Sequence, residues 1–173
     1  MSHAYRWLGA LAAAAIVSAF PAVASPAEAR SVVSFDGNYP AGTIVVRTGQ
    51  RRLYFVLSDG KALAYTVGVG RRGQQWTGTS YIDGKHIRPA WSPPADVKRD
   101  NPRLPNIIPG GSPRNPMGAA ALTLSGGEYA IHGTNVPGSV GGFVSYGCFR
   151  MYNQDVMDLY NRVSVGTQVI VTH

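Results

Sequence analysis

HGTNVPGSVGGFVSYGCFRMYN, residues 132–153, holds the chain's single cysteine, Cys148, and one of its four histidines, His132. A thiol nucleophile needs a base to take its proton and a dry pocket lined with donors for the developing oxyanion. This stretch supplies all three. Glycines at 133, 138, 141, 142 and 147 let the backbone turn tightly and approach a substrate where a side chain would collide. A Gly-rich surface loop with a buried, inert cysteine is the alternative, and the flanking sequence weighs against it.

Immediately upstream, residues 119–124 and 128–131 read as a hairpin closed by Ser125-Gly126-Gly127, so His132 sits at a strand end, rigid yet open to substrate. Downstream, Val156, Leu159, Tyr160 and Val163 recur at helical spacing, with Asn153 as N-cap, Asp155 in the first turn and Gly166 beyond the end. Residues 168–172 form a last β-branched strand. Nearer the start, residues 43–47, 52–57 and 62–69 read as an antiparallel meander with a tight turn at Ser58-Asp59-Gly60-Lys61. Residues 77–87 suggest another strand pair turning at Asp83-Gly84. Eight of the twelve prolines fall between 88 and 118, a density expected to exclude regular elements. This segment is either a plain surface connection or a wall over the site, with Trp91 lining the groove.

The expected fold is therefore mainly β: twisted mixed sheets or a sandwich, one short helix after Cys148, and a long Pro-rich loop over the groove. Twenty-one glycines and twelve prolines agree with many turns and short strands. Sixteen basic residues against nine acidic ones give a net charge of +7, but they are scattered and no basic run exceeds two. No recognition helix or RNA-binding signature accompanies them, so a polyanionic cell surface suits this charge better than nucleic acid. His86 and His173 are bystanders, and the widely separated histidines have no Cys or acidic partners at ligand spacing, so neither a metal nor a cofactor is expected.

The chain begins like an export signal, with His3 and Arg6 before an Ala-rich apolar stretch from 7 to 24. Cleavage is expected after Ala24, or as late as Ala29, given the small-x-small sites at 22–24 and 27–29 and the breakers Pro21 and Pro26. Retention as a membrane anchor is the other reading. Residues 25–33 read as a short linker and 34–173 as one catalytic domain. An unpaired thiol in an exported protein needs an explanation, and a reactive nucleophile is one.

His132-Gly133-Thr134-Asn135 followed by Ser145-x-Gly147-Cys148-x-Arg150-Met151-x-Asn153-x-Asp155 resembles the signature of the L,D-transpeptidase catalytic domain of bacterial cell-wall enzymes. Gln50 to Tyr54, Tyr65-x-Val67-Gly68-Val69-Gly70, Trp76-x-Gly78, Trp91-x-Pro93-Pro94 and Asn115-Pro116-Met117-Gly118 match that family in order, so the resemblance runs from about Ser34 onward. One departure is Tyr146, where many members carry a histidine; it bears on groove shape and substrate choice.

The resemblance implies that Cys148 attacks a tetrapeptide stem of peptidoglycan at the L-centre of its diamino acid. D-Alanine would leave, and a neighbouring stem amine would resolve the thioester into a 3-3 cross-link. His132 would be the base, drawing the proton off Cys148 to give a thiolate at neutral pH, with its other ring nitrogen donating to a carbonyl near Gly133. Backbone N–H groups of Gly147, Cys148 and Tyr146 would hold the oxyanion. Ser145 would brace the loop. Arg150 would meet a stem carboxylate or pair with Asp155, and Gly133, Thr134 and Asn135 would shape the pocket. Carbapenem-type β-lactams are the expected inhibitors. Resolution by water, giving carboxypeptidase activity, or by an outer-membrane protein tethered to the wall, uses the same acyl-enzyme. An inactive wall-binding protein is the non-enzymatic alternative. Cell-wall cysteine peptidases of another fold place Cys before His, the reverse of this order.

Overall fold

The computed structural model describes residues 30–173; the expected export signal lies outside them. Eleven strands and two helices follow one another: β1 (Arg30–Ser34), β2 (Ile44–Arg47), β3 (Arg52–Val56), β4 (Lys61–Thr66), β5 (Val69–Gly70), β6 (Gly78–Ile87), α1 (Ala95–Asp100), β7 (Ala120–Leu124), β8 (Ala130–His132), β9 (Phe143–Ser145), β10 (Phe149–Arg150), α2 (Asn153–Arg162) and β11 (Gln168–Thr172). Nine strands form one mixed sheet in the order β1-β4-β3-β2-β11-β6-β7-β8-β10, and β5 pairs with β9 apart from it.

The meander of β2, β3 and β4 is antiparallel as the pattern predicts. Its second turn carries Asp59 and Gly60, both at positive φ, the geometry that matches the right-handed twist of the flanking strands. β1 differs from expectation. The linker was expected to run to residue 33, but residues 30–33 already pair with β4, Arg30 opposite Tyr65. Exposed-edge alternation in this short strand is too weak a signal against the neighbouring polar residues.

β6 is the second departure. Instead of a hairpin turning at Asp83-Gly84, it is one ten-residue strand whose register slips at that point. Its first half pairs with β11 and its second half with β7. The irregularity bends the strand, as a bulge does, so one strand serves two halves of the sheet. A single apolar cluster fills the space between them, joining Ile44, Leu53 and Tyr65 from one half to Leu122, Leu124, Ile131 and Phe149 from the other. Helix α2 closes this core: Val156 and Leu159, with Val163 just past its end, are all buried, and the helix packs against β7 and β8. Each such side chain contributes about 1.5–3 kcal/mol on burial.

The Pro-rich segment is not wholly irregular, since it contains α1, which buries no residue. An isolated bridge between Trp91 and Ile108 closes its base.

Candidate active site

Strands β8 and β10 run parallel, with Phe149 opposite Ile131 and Arg150 opposite His132. Continuing that register by one residue sets Cys148 beside Ala130. Side chains two apart share a face, so His132, Arg150 and Cys148 project to one side, and all three line a single cavity of about 460 Å³. Its remaining wall includes Trp91, Pro94 and Val97 from the Pro-rich segment and Glu128 and Tyr129 from the β7–β8 hairpin.

His132 is buried, and its Nδ1 donates to the Gly133 carbonyl at 2.7 Å. A carbonyl only accepts, so the proton sits on Nδ1 and Nε2 is left with a free lone pair. Burial, with the positive charge of Arg150, holds the imidazole down at about 4, partly offset by the Gly133 and Pro116 carbonyls. Burial likewise pushes the Cys148 thiol above its ordinary value, partly offset by the Ala130 backbone and Arg150. At neutral pH the resting pair is therefore thiol and neutral imidazole. This corrects the expectation of a standing thiolate: desolvation penalises both charged forms.

The loop before Cys148 is fixed by its neighbours. Ser145 Oγ donates to the Cys148 carbonyl at 2.6 Å and accepts from Gly147 N–H at 3.1 Å. Ser145 thus braces the loop as expected, but it occupies the Gly147 N–H, which is withdrawn as an oxyanion donor. Tyr146 and Cys148 N–H remain the candidates. Gly147 has φ +122°, and a Cβ there would collide with the Tyr129 ring. Tyr129 stacks on Trp76 at 5.1 Å between ring centroids, and Trp76 Nε1 donates to the Gly147 carbonyl at 3.0 Å.

Asn153 is not the helix cap. It is the first residue of α2, preceded by Tyr152 at the N-cap position with no side-chain cap. Its Oδ1 accepts from Ala119 and Thr134 N–H, and its Nδ2 donates to the Thr134 carbonyl, each at 3.0 Å. A Cβ on Gly133 would collide with that Oδ1. Asn153 therefore pins the turn after His132 to the start of α2.

The L,D-transpeptidase catalytic domain model matches residues 41–171. The chain belongs to the L,D-transpeptidase catalytic domain family. It is 36% identical over 135 residues to the Probable L,D-transpeptidase ErfK/SrfK of Escherichia coli K12, covering 73% of this chain and 42% of that one. The chain thus spans under half the length of this curated relative. A solved structure described as a probable carnitine operon oxidoreductase from Brucella melitensis is 39% identical, covering 86% of this chain and 96% of that one, with a TM-score of 0.56. The catalytic domain of the Enterococcus faecium L,D-transpeptidase acylated by ertapenem shares the fold, with 17% identity, 79% and 100% coverage and a TM-score of 0.59.

Within this family member, Trp91 lines the cavity as expected. Asn135 does not: it is exposed and lies off the cavity wall. Arg150 does not pair with Asp155, whose nearest cation is Arg30 at 3.6 Å. Instead Arg150 Nη1 donates to Ser139 Oγ at 2.9 Å, while its buried Nε has no partner among the described residues. Sequence reasoning gave Trp76, Tyr129 and Asn153 no part in shaping the site. Their work is done through backbone atoms distant in sequence, and only the Trp76-x-Gly78 and Asn153 motif positions hinted at it.

Proposed function

We propose that the protein is an exported L,D-transpeptidase of the cell envelope, periplasmic in location, that acts on tetrapeptide stems of peptidoglycan. The observation that carries this reading is the shared cavity of Cys148, His132 and Arg150, with His132 Nδ1 held 2.7 Å from the Gly133 carbonyl. Cys148 Sγ attacks the carbonyl carbon at the L-centre of the diamino acid as His132 Nε2 takes the thiol proton. The C–N bond to D-alanine breaks, and the departing amine takes that proton from the imidazole. A stem amine then attacks the thioester, its proton passing through His132 Nε2 to the departing sulfur, so that the C–S bond breaks, Cys148 returns to the thiol and the 3-3 cross-link forms. Tyr146 and Cys148 N–H stabilise the oxyanion, each donor worth roughly 3 kcal/mol in comparable sites. Arg150, a half-buried cation without an acidic partner among the described residues, receives a carboxylate of the stem bidentately. Carbapenems acylate the same thiol.

Water, or an amine of an outer-membrane protein, resolves the same thioester in the alternative readings. An oxidoreductase reading has less support. Gly68-Val69-Gly70-Arg71-Arg72-Gly73 spells a dinucleotide fingerprint, but it leads into β6 rather than a helix. It therefore lacks the helix N-terminus that receives a pyrophosphate.

The test is incubation of the purified protein with a disaccharide-tetrapeptide, read by mass spectrometry. Released D-alanine with a dimer cross-linked between diamino acids supports the transpeptidase. Release with only a tripeptide product indicates the carboxypeptidase, and no release overturns the reading. Export is tested by fusing residues 1–40 to a reporter active only outside the cytoplasm.

A further inference from the structure

The segment 92–107 leaves the domain at the Trp91–Ile108 bridge and forms the cavity wall through Pro94, Ala95, Asp96 and Val97. None of its residues is buried. Hydrogen bonds within it are local, such as Lys98 N–H to the Pro94 carbonyl and Leu104 N–H to the Asn101 carbonyl. Among the described residues, its hydrogen bonds to the rest of the domain all pass through one group, the carboxylate of Asp100. Asp100 Oδ2 accepts from Arg71 Nη2 and from Tyr146 Oη, each at 2.7 Å. The Arg71 guanidinium also lies 3.9 Å from the centroid of the Tyr146 ring. Three chain segments meet here: the turn after β5, the end of α1, and the loop that carries Cys148.

We propose that Asp100, Arg71 and Tyr146 form a latch that holds the 92–107 wall closed over the thiol and so positions the donor stem. Six residues of α1 span about 9 Å, enough to carry the contact at Asp100 to the cavity edge at Ala95. With little apolar burial to hold it, the wall depends on this one polar contact, the profile of a segment of low local stability. Tyr146 couples the wall to chemistry, because it stands two residues before Cys148 and offers an oxyanion N–H. Histidine at that position has a shorter reach than the Tyr146 phenol, so the departure from the family pattern accompanies a contact built for this lid. These are positioning residues, and the kinetic part of the proposal rests on the transpeptidase reading.

Asp100→Asn keeps the size of the side chain and removes its charge. Deuterium exchange of amides in 92–107 is expected to rise several-fold in this variant, with residues 130–134 unchanged. KM for the tetrapeptide should rise roughly threefold to tenfold, the scale of losing one exposed ion pair and one charged hydrogen bond, with kcat within about twofold. The pH midpoint of Cys148 alkylation should not move. Tyr146→Phe should raise exchange in the same segment, and adding it to Asp100→Asn should raise exchange no further, because both break one assembly. Asp100→Glu should restore part of the protection. Exchange identical to wild type in Asp100→Asn, or additive effects in the double variant, overturns the latch. Exchange needs no substrate, so a failure of stem turnover in the wild type counts against the transpeptidase reading while the latch is still decided.

Discussion

His132 and Cys148 are both kept neutral by burial, and this sets how each responds to pH. His132 titrates at about 4 in the folded chain and at about 6.5 when unfolded. Its folded value is depressed, so its contribution to stability is full above pH 6.5 and is lost as pH falls towards 4, a loss of roughly 3 kcal/mol. Urea midpoints at pH 7.5 and pH 4 should therefore differ more in wild type than in His132→Gln, which has no proton to bind. The thiol, pushed up by burial, should alkylate with a pH midpoint above the ordinary value of about 8.5. Cys148→Ala should fold normally and lose both D-alanine release and the covalent mass gained from a carbapenem. Turnover above a few per cent of wild type would identify another nucleophile.

Two elements owe their geometry to side chains other than the thiol and the imidazole. The loop between β9 and β10 holds Gly147 at a positive φ against the Tyr129 ring, so Gly147→Ala adds backbone strain and a collision. A loss of about 1–3 kcal/mol is expected from the strain alone, with a drop in acylation rate measurable by stopped flow with a carbapenem. The start of α2 is tied to the turn after His132 by the three hydrogen bonds of Asn153. Asn153→Ala leaves two N–H groups and a carbonyl without partners, at about 1–3 kcal/mol. Thermal unfolding should show that cost, and kcat should fall because the imidazole loses its support. A cap role alone would lower stability and leave kcat untouched.

Over the whole molecule, strand β1 closes one edge of the sheet and brings Arg30 to Asp155. Both carboxylate oxygens of Asp155 are buried without a hydrogen bond among the described residues, and Arg30 Nη1 stands 3.6 Å away. Burial raises the Asp155 carboxyl above its ordinary value, with Arg30 opposing the shift. A raised folded value means that its contribution is full below about 3.9, the unfolded value, and is lost as pH rises through the folded one. At pH 7 the group is thus a cost that Arg30 limits. A chain beginning at Ser34 should melt lower than one beginning at Arg30, by an amount equivalent to roughly 1–2 kcal/mol from this pair, since Arg30 is half-exposed. Asp155→Asn should recover that part in the shorter chain. Equal melting of the two lengths would show that the pair is without effect.

The sequence by itself determined the family, the meander, the hairpin that ends at His132 and the helix that follows Cys148. Each of these is carried by local periodicity or by an ordered motif, such as Val156, Leu159 and Val163 at helical spacing. It also singled out His132 and Cys148, which the fold brings to one cavity, because thiol chemistry restricts the residue types that serve it. Tertiary structure alone decided that Asp83-Gly84 bends a strand rather than turning it, since two different partners claim the halves of β6. It decided that Asn153 braces a loop rather than capping a helix, that Ser145 takes the Gly147 N–H, and that Arg30 rather than Arg150 faces Asp155. These are choices among partners far apart in the chain. A side chain's own type fixes what it can bond to, but only the packed fold fixes which of the available groups lies within 3 Å.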